Sequence, residues 1–538
     1  MNCHIAPFKG MGYSDFYLDF VSEKDSARRF FASPSLEATA YALDQRAFPR
    51  EQLVALLKAQ NESFGASEAT MANIELLADP RTLCVFSGQQ AGLITGPLLV
   101  QVKAIGIIKA AAEYARQLKR SVVPVFWIAG DDHDFDEANH SFVLDRRGEI
   151  VKISYDSPPP AALPTGQVKY DNAAELERWK MELKAALGES DFTDELYDLV
   201  DRCYTTSDTM VSAFGKMMTA LMGRHGLILF SPNDAGAKKI AAPLFEEIIL
   251  KQNDLHTSID RANTDLVENG YHTQVEKKNE SAHLFCVQEG RQPVLRNGDN
   301  FTVGETNFTC AELIDLIRKE PDRFSTDVMT RPVLQSYLFP TLSQKGGPAE
   351  IAYLAQMNGL FELFDLPAPY HKARPTVTVI EARYAEMIHD NHIEFRELTC
   401  DVERLINRIL LESFPGDVEK GFAMLRHDIE YHINKFKNES LQFDKGLAKF
   451  AEQTQGKIDF ALKNLESKTF ASYKRSQSDT RSRIYRLYNA LYPNRGLQER
   501  ALNVCYFIGK YGLRFVDRLF DRIEPEITDH QLLDMREF

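Results

Sequence analysis

Short unbroken apolar runs alternate with helix-period segments through the first two thirds of the chain. Leu83-Cys84-Val85-Phe86 ends in a glycine-rich turn and is followed by residues 98–115, rich in Ala, Ile, Leu and Lys. An apolar run too short for a helix and closed by turn residues predicts a buried strand, and the segment after it predicts a helix. Directly after that helix, Ser121-Val122-Val123-Pro124-Val125-Phe126-Trp127-Ile128 predicts a second buried strand. The crossover has the length and order of a parallel βαβ pair. Gly226-Leu227-Ile228-Leu229-Phe230 predicts a third strand, followed by Ser231-Pro232-Asn233-Asp234 and a helical stretch over 236–252. The recurrence of strand, cap and helix predicts an α/β fold with an open parallel sheet. Residues 1–80 read as helical and polar, and 141–175 and 281–305 alternate with turn residues, as small β-rich insertions do.

The last third differs in kind. Residues 416–492 contain no proline, and Val418, Phe422, Leu425, Ile429, Ile433 and Phe436 recur at three and four, as do Ile458, Leu462 and Leu465. That spacing predicts two long helices in an antiparallel hairpin, turning near 438–446. The pattern divides the chain into a core over 1–385 with insertions near 141–225 and 255–330, a coiled coil over 386–492, and a segment over 493–538 that returns to the core.

Composition is ordinary for a globular chain of 538 residues, 44% apolar and 26% charged. The net charge of −14 argues against whole-surface binding to nucleic acid or anionic lipid. Residues 416–492 nonetheless hold 14 Lys and Arg against 10 Asp and Glu, so the predicted arm is the relatively basic part. No stretch reads as a membrane span or a secretory signal, and the seven scattered cysteines include no CxxC pair. A reducing cytoplasm is the expected location.

Four motifs carry candidate chemistry. In Ser87-Gly88-Gln89-Gln90-Ala91-Gly92-Leu93-Ile94-Thr95-Gly96-Pro97, the glycines allow close backbone approach to a ligand, and Gln89, Gln90 and Thr95 offer polar groups at a strand's carboxyl end. The glycine spacing fits neither GxGxxG nor a P-loop, so a plain tight turn would read the same way. In Gly130-Asp131-Asp132-His133-Asp134-Phe135-Asp136-Glu137, five carboxylates surround one imidazole. Such a cluster suits an ammonium, a Mg²⁺ ion or a proton-transferring His133 oriented by Asp132 and Asp134; a solvated acidic loop has the same composition. Arg331, Lys345, Gly346 and Gly347 precede a helix over 351–364 and form a candidate anion site or an ordinary helix start. Tyr492-Pro493-Asn494-Arg495-Gly496-Leu497-Gln498-Glu499-Arg500 ends the second long helix and reads equally as a helix-stop loop.

Taken in order, SGQQAGLITGP, PVFWIAGDDHDFDEANH, RPVLQSYLFP with GGPAEIAYLAQM, and LYPNRGLQER resemble the bacillithiol biosynthesis cysteine-adding family, BshC, over nearly the whole chain. The resemblance implies a Rossmann-like core with inserted connecting segments and a C-terminal antiparallel coiled coil. It implies a ligase that joins the carboxyl of L-cysteine to the amine of glucosaminyl malate, with ATP activating the carboxyl. Gln89, Gln90, Thr95, Gly96 and Asp131 would then bind substrate, and His133, Asp132 and Asp134 would act in catalysis, His133 as the base that takes the proton of the attacking amine. Arg331, Lys345, Gly346, Gly347, Asn494, Gln498 and Arg500 would meet the adenine nucleotide. A homodimer through the coiled coil is expected, because a long apolar seam usually finds a partner. Two other readings fit the same motifs: a non-catalytic nucleotide-binding scaffold of the thiol pathway, and a nucleotidyltransferase acting on another carboxylate.

Overall fold

The computed structural model describes residues 4–276, 278–442 and 444–537. Five strands make the central sheet: β1 (Leu83–Gln89), β2 (Val122–Ile128), β3 (Ile228–Phe230), β4 (Thr341–Gly346) and β5 (Tyr370–Ala373). Their order is β5-β4-β1-β2-β3 and every pair is parallel. The chain steps outward from β1 through β2 and β3, then returns to the other side of β1 for β4 and β5. This is the Rossmann order, and the reversal places a crevice at the carboxyl ends of the strands.

Both faces of the sheet are covered, which is why its first strands read as continuous apolar runs. Cys84, Phe86, Val123, Val125, Trp127, Ile228 and Phe230 belong to one buried cluster on one face. The helix Leu99–Leu118 follows β1, with thirteen of its residues buried. Gly88 is required by contact, because a Cβ there would lie 2.6 Å from the Trp127 carbonyl oxygen on the neighbouring strand.

Several expectations change in detail. The first 80 residues are mainly helical, as expected, but less polar in their packing than they read: Phe16, Tyr17, Phe20, Phe30, Phe31, Leu53 and Leu57 join the main core cluster. The polar stretch Thr341–Gly346, read as the approach to a helix, is a fully buried strand. Its polar groups are satisfied by register, as when Ser343 Oγ donates to Tyr370 O at 2.7 Å. The helix expected over 351–364 starts earlier and divides into Pro348–Gln356 and Asn358–Leu363.

Between β2 and β3 lie the short helix Phe135–Ala138, the antiparallel hairpin His140–Leu144 with Ile150–Ser154, and three longer helices. Between β3 and β4 lies a five-stranded antiparallel sheet that includes Ser281–Val287, Arg291–Asn297 and Phe324–Thr326. Residues 493–538 group with the Rossmann-like core. Their strand His530–Asp534 runs parallel to Thr376–Ile380 and antiparallel to His4–Ala6.

The second unit, 382–492, is helical. Its long helices Gly416–Ser440 and Gly446–Ser476 are joined by ion pairs Arg426–Glu466 and Lys437–Glu452, a descending register that makes them antiparallel. Most of the predicted seam is at least half-buried, as at Val418, Phe422, Ile429, Ile433, Ile458 and Leu462, whereas Phe436 at its end and Met424, Phe450 and Phe460 outside it are each more than half exposed.

Within the core, Asn503 fixes the turn after β1. That turn holds three successive left-handed residues, Ile94, Thr95 and Gly96. The buried Asn503 amide donates to Ile94 O at 2.7 Å, Gly96 O at 2.5 Å and Ser141 Oγ at 3.2 Å. Asn503→Ala leaves two buried carbonyls without these donors, and is expected to lower unfolding free energy by about 1–3 kcal/mol. Denaturant titration of the purified variant measures it, and an unchanged midpoint would refute the assignment.

Candidate active site

At the switch point between β1 and β4 the crevice is closed by the chain's own charges. Lys103, on the helix that follows β1, is 4% exposed. Its Nζ donates to Gly88 O at 2.7 Å, Gln89 Oε1 at 2.8 Å and Glu350 Oε1 at 3.1 Å. Glu350 Oε2 accepts from the Gly347 amide at 2.8 Å. The helix start at Gly346 and Gly347, expected to hold an anion, is therefore capped by the carboxylate of its own helix. Burial opposes ionisation of Glu350, but Lys103 and the Gly347 amide together hold its carboxyl below the usual range.

Two cavities open beside this closed point. The larger, about 680 Å³, lies past the ends of β2 and β3 and is walled by the antiparallel sheet. Asp131, Asp132, His133 and Arg331 line it, together with His283, Phe285, Arg291 and Asp327. The smaller, about 240 Å³, collects Gln89, Gln90, Gly96, Glu137, His140 and Arg500. Gln90 Nε2 spans the two, donating to Asp132 Oδ2 at 2.5 Å and to Glu137 Oε2 at 2.9 Å.

The acidic loop is less free than its composition implies. Asp131 pairs with the buried Lys238 at 2.6 Å. Asp132 Oδ1 accepts from the backbone of His133 at 2.8 Å, and Asp134 caps the short helix Phe135–Ala138 by accepting from Glu137 N at 3.0 Å. No group of three or more His, Cys, Asp or Glu among the described residues is arranged to hold a metal ion. His133 Nδ1 stands 3.1 Å from Arg291 Nη1 and 3.8 Å from Asp132 Oδ1. A guanidinium can only donate, so Nδ1 accepts and the ring presents Nε2–H outward.

Arg291 is the central cation of the larger cavity. It is 8% exposed, lies 3.6 Å above the Phe285 ring, and donates to Ser325 Oγ at 3.2 Å and Thr326 O at 3.0 Å. Arg331 donates to Tyr353 Oη at 2.7 Å. A buried guanidinium stacked on an aromatic face and held by neutral acceptors suits a ligand carboxylate or phosphate.

Other expected site residues lie elsewhere. Thr95 is fully buried, its Oγ1 accepting from Gln101 Nε2 at 2.8 Å. Lys345 is 1% exposed and pairs with Glu526 at 3.0 Å, so it does not join Arg331. Gln498 is buried with both ends of its amide on Val379. Asn494 is an exposed left-handed residue of the turn that ends the arm, outside both cavities. Sequence reasoning passed over Arg291, His283, Asp327 and Lys238, because each lies on an insertion or helix with no local motif; only folding brings them to the strand ends.

The Asp131–Lys238 pair gives a test of this geometry. Burial pushes the Lys238 ammonium below its ordinary range, opposed by Asp131. Asp131→Asn removes that opposition, leaves an unpaired buried cation, and is expected to destabilise the fold by about 3–5 kcal/mol near neutral pH. Because the folded Lys238 pKa then lies further below the unfolded value, the unfolded state binds more protons between the two, and stability is regained as pH rises. Thermal midpoints of both proteins from pH 7 to 10 should converge; a constant gap would contradict the pairing.

Comparison with known proteins agrees with this architecture. Residues 1–375 match the family model described as the bacillithiol biosynthesis BshC N-terminal Rossmann-like domain, and 377–535 match the BshC C-terminal coiled-coil domain. The protein named "Putative cysteine ligase BshC" of Bacillus thuringiensis subsp. konkukian is 31% identical over 485 residues, covering 89% of this chain and 90% of that protein. Its namesake in Bacillus cytotoxicus is 32% identical over 493 residues, covering 89% of each. With both units matched along their length, this chain belongs to the BshC family of bacillithiol biosynthesis, whose members are named as cysteine ligases.

Proposed function

We propose that this protein joins the carboxyl of L-cysteine to the amine of glucosaminyl malate, forming an amide, with ATP activating the carboxyl. The observation that supports it most is the larger cavity, where buried arginine, imidazole and carboxylate side chains converge at the strand ends. Near neutral pH a carboxylate and an ammonium do not condense unaided, so the carboxyl must first carry a phosphate or adenylate leaving group.

The larger cavity takes glucosaminyl malate, its carboxylates meeting Arg291 and Arg331 while Asp132 draws in its ammonium. His133, through Nε2–H, donates to oxygen on the reacting carboxyl. The smaller pocket takes cysteine, with Gln89, Gln90 and Arg500 at its wall, and the Gln90 bridge is the seam along which the two substrates meet. Lys103 holds Gln89 Oε1 and so turns its amide NH₂ outward. Asp131, Asp132, Asp134 and Glu137 of the acidic loop already hold Lys238, Gln90 or backbone amides.

The solvent-facing apolar residues of the arm fit a homodimer through the coiled coil. The six described cysteines are all unpaired, as a cytoplasmic setting would keep them.

The purified protein incubated with cysteine, glucosaminyl malate and ATP should yield the amide, followed by mass spectrometry, with one ATP consumed per product. Nucleotide binding without product would favour the scaffold, and nucleotide turnover on a different carboxylate would favour the transferase. Arg291→Ala should raise KM for glucosaminyl malate about tenfold or more, the loss of a charge-assisted hydrogen bond, while KM for cysteine stays near its original value. Light scattering should give about twice 61.1 kDa, and a single-chain mass would refute the dimer.

A further inference from the structure

His283 lies on the strand Ser281–Val287 and forms part of the wall of the larger cavity. Three features separate it from an ordinary buried histidine. Its backbone is left-handed, with φ at +57°, where the register of its strand with Arg291–Asn297 breaks between Ser281 and Phe285. Such a conformation persists only where surrounding contacts hold it. Here Ser281 Oγ accepts the His283 N–H at 3.1 Å, and the His283 carbonyl accepts from Thr330 Oγ1 at 2.7 Å.

The ring is also clamped. Nδ1 stands 2.8 Å from Asp327 Oδ2. Asp327 Oδ1 accepts from Met329 N at 2.9 Å, Thr330 N at 3.0 Å and Thr330 Oγ1 at 3.2 Å. A carboxylate so supplied with donors stays ionised, so in the neutral ring the proton sits on Nδ1 and the lone pair on Nε2. That Nε2, shielded from bulk water, has no hydrogen-bond partner among the described residues. Buried acceptors left without a donor are rare, and of the imidazoles with such a nitrogen, His225, His371 and His283, only His283 lines the cavity. The neighbouring His256, with its ring centred 5.1 Å away, turns its own Nε2 to Ser281 O at 2.8 Å.

We propose that His283 is the catalytic base of amide formation and that Asp327 is its positioning residue. This assignment rests on the ligase reading above. His133, the other imidazole of the cavity, has its Nδ1 lone pair engaged by Arg291 and offers only an N–H. In the step, the ammonium of glucosaminyl malate first gives up one proton to solvent, and the neutral amine nitrogen then forms a C–N bond to the activated cysteine carboxyl carbon. The bond from that carbon to the phosphoryl or adenylyl oxygen breaks and its electron pair leaves on that oxygen. The proton shed by nitrogen passes to His283 Nε2, which the cavity wall brings within hydrogen-bond reach as the substrate seats.

His283→Gly is the informative variant, because glycine adopts a positive φ without strain and the fold should survive, as far-UV circular dichroism will report. Its kcat for amide formation should fall about 10²-fold or more with KM for both substrates little changed, and added imidazole should restore part of the rate. Nitrogen-15 NMR without substrate should show His283 protonated on Nδ1, and Asp327→Asn should shift that tautomer and lower kcat. A folded His283→Gly protein with wild-type turnover, or an Nε2–H tautomer in the wild type, would overturn the assignment alone. A wild-type protein that makes no amide would take the ligase reading down and this assignment with it.

Discussion

The turn that follows β1 is the constraint on which the rest of the site depends. Three consecutive left-handed residues are costly, and two of them, Ile94 and Thr95, carry side chains that make the conformation more so. The chain tolerates them because the turn is bonded from three directions. Asn503 arrives from the C-terminal segment, Ser141 Oγ donates to Leu93 O at 2.6 Å, and the Tyr204 hydroxyl meets the Thr95 amide at 3.3 Å. With the turn fixed, Gln89 and Gln90 project past the strand end at a defined angle, and Gln90 reaches the acidic loop.

Buried charge is distributed with similar economy. Lys103 with Glu350, Lys238 with Asp131, and Arg374 with Glu499 place three ion pairs within the Rossmann-like core. Each removes a charge that would otherwise compete for substrate or destabilise the interior. What lines the larger cavity besides these includes the stacked guanidinium of Arg291, the edge of His133 and the wall formed by His283, together with Asp132, Glu276, Lys278 and Arg331. The net charge of the loop is therefore a poor guide to the charge a ligand meets.

Much of the fold was legible in the sequence. The strands at Leu83 and Val122 announced themselves because a parallel sheet buried on both faces leaves an unbroken apolar run. The long hairpin was legible because its seam repeats at three and four over residues 416–492 without a proline. The strand Thr341–Gly346 was not, since its Thr, Ser, Gln and Lys are buried by pairing with neighbours distant in sequence. Of the site, Asp132, His133 and Arg331 in the larger cavity and Gln89, Gln90 and Arg500 in the smaller were identified from motifs; of these, only the glutamines, Asp132 and His133 stand in motifs at strand ends, while Arg331 and Arg500 belong to a helix start and a helix-stop loop. Lys345 and Thr95 were identified by the same reasoning, yet the fold turns them into buried partners of Glu526 and Gln101.

The sequence by itself determined the class of fold, the family and the loops that face the crevice, because apolar periodicity and turn chemistry are local properties of the chain. Only the tertiary structure decided which polar groups on those loops stay available. Whether a carboxylate, lysine or imidazole is spent depends on what lies within about 3 Å, the reach of a hydrogen bond. Arg291 against His133 and Asp327 against His283, separated by 158 and 44 residues, are contacts that only the assembled sheet creates.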